Sequence, residues 1–328
     1  MSTPAVSAAS AASDTPAVPI APALIAVTGA TGRIGGAVAT LLHERGASLR
    51  LLLRDPSRTP RWARDARPVA PADDQDGAGA GGGRARGAPS VEVAVAQYGD
   101  GEAVRAALTG VDVLLMVSAS ESADRLLQHR TFIDAAAAAG VRHVVYTSFL
   151  GAAADAVFTL ARTHWATEEH LRASGMGFTL LRDSFYLDFL PDLAVDGVIA
   201  GPAGTGRVGA VAREDVARAA AAVLADLAAG DGRHDGAVYE LTGPRALSLS
   251  DVAAILTAAG RPTVYRQESV EEAYASRSVY GAPDWQVDAW VSTYTAIASG
   301  ALDRITHDVE RLTGRRPLGF AELLAGRP

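Results

Sequence analysis

The chain has no cysteine and no lysine among its 328 residues. The first absence excludes disulfides, thiolate metal sites and a cysteine nucleophile, and leaves the redox compartment open on that ground. The second excludes a Schiff base and any proton relay tuned by a lysine. All 30 basic residues are therefore arginine, and a formal charge of -7 runs against sequence-independent nucleic-acid binding, which needs basic surface. Long apolar runs are missing too. No stretch approaches the roughly 18 residues of a membrane span, and charges interrupt the alanine-rich segments. Residues 1–22 are rich in Ala, Ser and Pro, without a basic n-region or a sustained apolar stretch, so they read as a disordered tail and not a signal peptide. A soluble cytoplasmic protein with no membrane partner and no metal site is expected.

What is present is organised around Leu24 to Gly36, L-I-A-V-T-G-A-T-G-R-I-G-G. An apolar run ends in a glycine-punctuated turn, and Ala37, Val38, Leu41 and Leu42 then recur at helical spacing. In such a strand–turn–helix unit Gly29 permits the bend, Gly32 lets backbone approach a ligand, and Gly35 lets the helix pack on the sheet. Free amides at the helix start, with the positive end of its dipole, suit a dinucleotide diphosphate. Gly29, Ala30, Thr31, Gly32, Arg33, Ile34 and Gly35 are the expected contacts. The spacing is Gly-x-x-Gly-x-x-Gly and not the Gly-x-Gly-x-x-Gly of many dehydrogenases.

Further strands are expected at Ser48–Leu53, Val91–Ala96, Val111–Val117, Val141–Thr147 and Phe178–Arg182. Helices fall between them, notably Ala123–Ala139 with Leu126, Leu127, Phe132 and Ile133 on one face. That alternation predicts an α/β fold, a Rossmann-type doubly wound parallel sheet, with ligand across the carboxyl ends of the strands. Gln97, Ser118, Ala119, Thr147, Ser148 and Phe149 stand near those ends and complete the expected cofactor set. Arg54 closes the second strand, where an arginine favours the 2′-phosphate of NADP and an acid would favour NAD. Arg58 follows closely, and Asp55 next door keeps NAD possible. Residues 67–90, glycine-rich and without a following Gly-Lys-Ser/Thr, read as a flexible insertion and not a phosphate loop. Residues 23–187 form the expected NAD(P)-binding domain. Residues 188–328 form a smaller, mainly helical substrate lobe partly interwoven with it, with Gly197–Arg207 as a plausible pocket rim and Trp285, Trp290, Tyr280 and Tyr294 as core or pocket aromatics.

Taken with Tyr98-Gly99-Asp100, Thr147-Ser148, His164-x-x-Thr167-Glu168, Thr179-Leu180-Leu181-Arg182 and Val211-Ala212-Arg213-Glu214-Asp215, the glycine turn resembles the NmrA-like group of atypical short-chain dehydrogenases. Within that group it is similar to bacterial NADPH quinone oxidoreductases. The resemblance implies hydride transfer from NADPH to a quinone-like or other electron-poor small molecule. It also permits a non-catalytic NAD(P) sensor that acts on a regulatory protein. Ordinary short-chain dehydrogenases rely on a Tyr-x-x-x-Lys pair, in which the cation tunes the tyrosine for proton exchange. Here Phe158 and Arg162 hold that spacing, and no tyrosine lies between Tyr146 and Tyr186. His164, expected at a helix start, and Tyr186, after the sixth strand, are the candidate catalytic residues. A helix-cap histidine and a packed aromatic are their plainer readings. Oligomeric state is open at this point.

Overall fold

Five successive buried residues, Leu24–Thr28, form the first strand, β1. Continuous burial is what a strand covered on both faces requires. The computed structural model describes residues 23–69 and 89–326; the expected tail and most of the expected insertion lie outside them. After the glycine turn, α1 (Arg33–Glu44) buries Ile34, Gly35, Val38, Ala39 and Leu42. β2 (Ser48–Leu53) has the expected bounds. A correction follows at once. Arg67–Pro68, placed inside the flexible insertion by composition, is a short strand, β3, that pairs in parallel with β4 (Val91–Val95). Arg67 also reaches Glu92, so the segment is anchored by charge as well as by the ladder.

Next come α2 (Gly101–Leu108), β5 (Val113–Met116), α3 (Arg125–Ala138), β6 (His143–Phe149), α4 (Thr159–Ala173) and β7 (Gly177–Asp183). β5 is shorter than its apolar run, because the Val111 amide closes α2 on Leu108 and the Val117 amide bonds to Thr28 Oγ1. β6 starts and ends two residues later than expected. The Arg142 and His143 amides both go to the Asp112 carbonyl, and all seven residues from His143 to Phe149 are buried. The inward face of α3 is also corrected: it carries Arg125, His129, Phe132, Ile133 and Ala136, while Leu127 is exposed.

Beyond β7 the chain forms a hairpin, β8 (Ala194–Val195) and β9 (Val198–Gly201), then β10 (Arg207–Val208). It returns to the central sheet with α5 (Arg213–Ala228), which packs on α1 in one apolar core, and β11 (Val238–Leu241), which pairs with β7. β12 (Leu247–Ser248), α6 (Leu249–Ala258), β13 (Val264–Gln267), α7 (Val270–Ser278), α8 (Asp284–Ala298), α9 (Asp308–Thr313) and α10 (Phe320–Leu324) follow. Ser248 caps α6, in a reciprocal pair with Asp251.

The main sheet runs β11-β7-β6-β5-β1-β2-β4-β3, with every pairing parallel. α1 and α5 cover one face; α2, α3 and α4 cover the other. Strand order reverses between β1 and β5. In a sheet of this kind that reversal opens the crevice in which a ligand sits. No helix among the described residues is long and apolar enough to cross a membrane.

Candidate dinucleotide and acceptor site

A cleft of about 1210 Å³ runs along the carboxyl ends of β1, β2, β4, β5 and β6 and under α8. Its floor at β1 is the glycine turn. Gly29 has φ +60, and the Gly32 amide closes the turn on the Gly29 carbonyl at 2.8 Å. Among the described residues no side chain caps α1, and its first turn holds no acid, so the amides leading the helix face the cleft at its positive end. Gly29, Thr31, Gly32, Arg33, Ile34 and Gly35 line the cleft as expected. Ala30 does not: its side chain is buried in the core beneath.

A side recess extends the cleft past the end of β2. Arg54 and Arg58 line it with Thr31, Asp55 and Gln97. The Asp55 carboxylate accepts the Ser57 amide at 2.9 Å through Oδ1 and caps a short 3-10 turn. The Ser57 side chain, and then its amide, hold that carboxyl below the usual value. The recess therefore presents two guanidinium groups and one carboxylate.

At the end of β5, Ser118 and Ala119 line the cleft. Thr147 does not; its Oγ1 accepts the Ser118 amide at 2.8 Å and so holds the loop from behind. Tyr98 clamps the same place by donating to the Val117 carbonyl, with Thr28 Oγ1 2.8 Å from its hydroxyl. Ser148, inside β6, lines the cleft and donates to Glu168 Oε1 at 2.5 Å.

His164 lies in the second turn of α4 and is 7% exposed, so it neither starts nor caps the helix. Its Nε2 is 2.9 Å from Arg125 Nη2. Arginine can only donate, so Nε2 is the acceptor and Nδ1 carries the proton, which it gives to Tyr146 Oη at 2.9 Å. Burial, then the Arg125 and His129 charges, keep His164 protonation well below its ordinary range. His164 is thus neutral at pH 7, with its one ring proton directed to Tyr146. His129 is arranged alike: Nε2 accepts the Ala119 amide, Nδ1 faces Thr167 Oγ1, and burial pushes it down to about 3. Arg125 joins the two halves of this layer through Ala119 O and Thr163 Oγ1. Sequence reading missed Arg125 and His129, although their four-residue spacing puts both on one helix face.

The far end is aromatic. Phe149, Phe158 and Phe185 form a triangle with ring centres 4.8, 5.0 and 5.1 Å apart. Phe158, which with Arg162 holds the spacing of a Tyr-x-x-x-Lys pair, is buried, and Arg162 is exposed. Tyr186, Phe189 and Trp290 complete this end. The rim is thus formed by Phe189 and α8; Gly197–Arg207 builds strands elsewhere and does not line the cleft. Among the expected aromatics, Trp290 faces the cleft, Tyr294 is buried in the lobe core, and Tyr280 is exposed.

Behind Tyr186 sits Asp183, 1% exposed, with Oδ2 2.9 Å from the Tyr186 hydroxyl. Burial pushes Asp183 up to about 8 and Tyr186 well above its usual value. A carboxyl that holds its proton more tightly when folded favours the folded state below its unfolded value, near 3.8. That contribution drains away as pH climbs through about 8. Asp183→Asn, which cannot titrate, is therefore expected to gain a few °C in Tm relative to the native chain between pH 5 and pH 9. Thermal melts at both pH values check this; a gap that stays constant would contradict it.

A doubly wound parallel sheet with a ligand crevice at its switch point defines a Rossmann-type fold, and the comparisons then place it. Residues 22–277 match the NmrA-like family, and the chain belongs to that family. It is 36% identical over 240 residues to quinone oxidoreductase 2 of Escherichia coli K12, covering 72% of this chain and 82% of that one. A crystal structure of the E. coli NADPH-dependent quinone oxidoreductase with NADPH superposes with a TM-score of 0.74 at 31% identity, over 92% of this chain and 98% of that one. The triphenylmethane reductase of Citrobacter sp. with NADP(H) gives 0.73 at 28% identity, over 92% and 99%.

Proposed function

We propose that this protein is an NADPH-dependent reductase of quinone-like or other electron-poor small molecules. One observation carries the reading: a single cleft joins a two-arginine recess, past a glycine turn with uncapped amides, to an aromatic end. The residues fit a dinucleotide. The amides of Arg33, Ile34 and Gly35 would take its diphosphate, and Arg54 and Arg58 its 2′-phosphate. The relatives' NADPH and NADP(H) complexes support this cofactor. NADPH supplies a hydride when bound. The chain orients the acceptor between Phe149, Phe185, Tyr186 and Trp290, and the His129–Arg125–His164 layer fixes the loop that carries Ser118 and Ala119. Without a Tyr-x-x-x-Lys pair, the chain lacks the machinery that ordinary short-chain dehydrogenases use for alcohol oxidation, whereas an activated acceptor yields a comparatively stable oxyanion and asks less of the protein. An aromatic-walled end is also what separates this reading from a sensor, which needs no acceptor site. NADPH oxidation, followed by absorbance against a panel of benzoquinones, naphthoquinones and azo dyes, is expected to require the acceptor and to run faster with NADPH than with NADH. Tight NADPH binding with no acceptor-dependent oxidation across the panel would favour the sensor.

A further inference from the structure

The end of β7 holds polar groups that neither cofactor binding nor packing accounts for. Asp183 lies in register between Phe149 of β6 and Leu241 of β11. One of its oxygens, Oδ2, meets Tyr186; the other, Oδ1, has no hydrogen-bond partner among the described residues, nor does the adjacent Ser184 Oγ. Tyr186 and Ser184 line the aromatic end of the cleft, and Asp183 stands behind them. Building a buried carboxyl with an orphaned oxygen costs stability, since its lone pairs lose water and gain nothing in return.

Resting on the reductase reading, we propose that Asp183 and Tyr186 form a two-member relay that delivers the proton accompanying hydride transfer to an acceptor oxygen. A carboxyl and a phenol in contact have two hydrogen-bonded forms. As a carboxylate, Asp183 accepts the Tyr186 hydrogen, and nothing is left for the cleft. As a carboxylic acid, it donates to Tyr186 Oη, and the phenol's own hydrogen turns to the acceptor. Burial favours the second form at neutral pH. The facing titratable groups come from other elements: Arg213 at the head of α5, with its guanidinium carbon 4.9 Å from the Tyr186 ring centre, Arg125 of α3, and Tyr146 of β6. Both arginines favour a phenolate, and burial outweighs them. Tyr186 alone would be a reluctant acid. Receiving a proton from Asp183 as it loses its own avoids leaving a phenolate in the cleft.

The balance closes. The acceptor's C=O gains an electron pair with the hydride that the reduced dinucleotide supplies. The Tyr186 O–H breaks as the new acceptor O–H forms, the Asp183 O–H breaks as that of Tyr186 re-forms, and solvent returns a proton to Asp183. The dinucleotide leaves oxidised.

Two readouts test this, one of them independent of turnover. Infrared titration of the native chain is expected to show a protonated-carboxyl C=O band at pH 7 that fades near pH 8 and is missing in Asp183→Asn. With p-benzoquinone and NADPH, native kcat is expected to fall as pH rises through about 8. Tyr186→Phe and Asp183→Asn should lower kcat roughly 10- to 100-fold. Asp183→Asn should flatten the pH profile, and KM for NADPH should move by less than about two-fold in either variant. Calorimetric NADPH binding confirms that each variant is folded; if Asp183→Asn fails that check, Tyr186→Phe and the native titration decide. An absent band, or a native enzyme whose kcat and pH profile survive Tyr186→Phe, would overturn the relay. A native chain that turns over no acceptor while showing the band would instead overturn the reductase reading.

Discussion

Arg54→Ala is expected to raise the Kd for NADPH by roughly 10- to 100-fold and that for NADH by less than about three-fold. The range follows from one charge-assisted hydrogen bond, worth about 1.5–3 kcal/mol, with each 1.4 kcal/mol a factor of ten. Arg54 and Arg58 share the recess, so Arg58 limits the single loss, and Arg54→Ala/Arg58→Ala should extend it. Asp55 shares the recess, with one carboxylate oxygen on the Ser57 amide, and Arg54→Ala leaves that residue in place for either dinucleotide. Calorimetric titration with both dinucleotides makes the comparison. Equal losses for NADPH and NADH would show that Arg54 does not read the 2′-phosphate. Preservation of both affinities would move that phosphate out of the recess altogether.

The parts of this molecule that were legible in its sequence are those in which one residue type has one physical use. Gly29, in the left-handed region, is of that kind. So is the apolar run Leu24–Val27, which lies inside β1. The hidden parts are polar groups whose partners arrive from far along the chain. Arg50 lies in an apolar strand pattern but is buried against Glu92 and the carbonyls closing α2. Arg125 and His129 look like the solvent face of α3, and they turn inward because Ala119, Thr163, Thr167 and His164 meet their hydrogen-bonding groups. Periodicity therefore gave Leu127 an inward place that Arg125 and His129 occupy. Asp183 is hidden for the same reason. Its surroundings are β6, β11 and Tyr186, and only the folded sheet joins them.

Gly35→Ala is expected to lower stability by about 3 kcal/mol and to weaken NADPH and NADH together by at least roughly 100-fold. A Cβ at Gly35 would stand 2.4 Å from the Thr28 carbonyl oxygen and 2.5 Å from that of Gly29. Both are main-chain atoms of β1 and its turn, so relief requires α1 to move off the sheet. That motion carries away the amides of Arg33, Ile34 and Gly35, and with them the diphosphate contacts, whichever dinucleotide is offered. Gly29→Ala is the informative control. A Cβ there meets only Val117, at 3.5 Å, so its cost is the left-handed backbone alone, about 1–2 kcal/mol. Urea denaturation should rank Gly35→Ala well below Gly29→Ala, and calorimetry should show parallel losses for the two cofactors, unlike Arg54→Ala. Should Gly35→Ala denature like Gly29→Ala and still bind NADPH, the close approach of α1 to β1 would not be what aims those amides at the cleft.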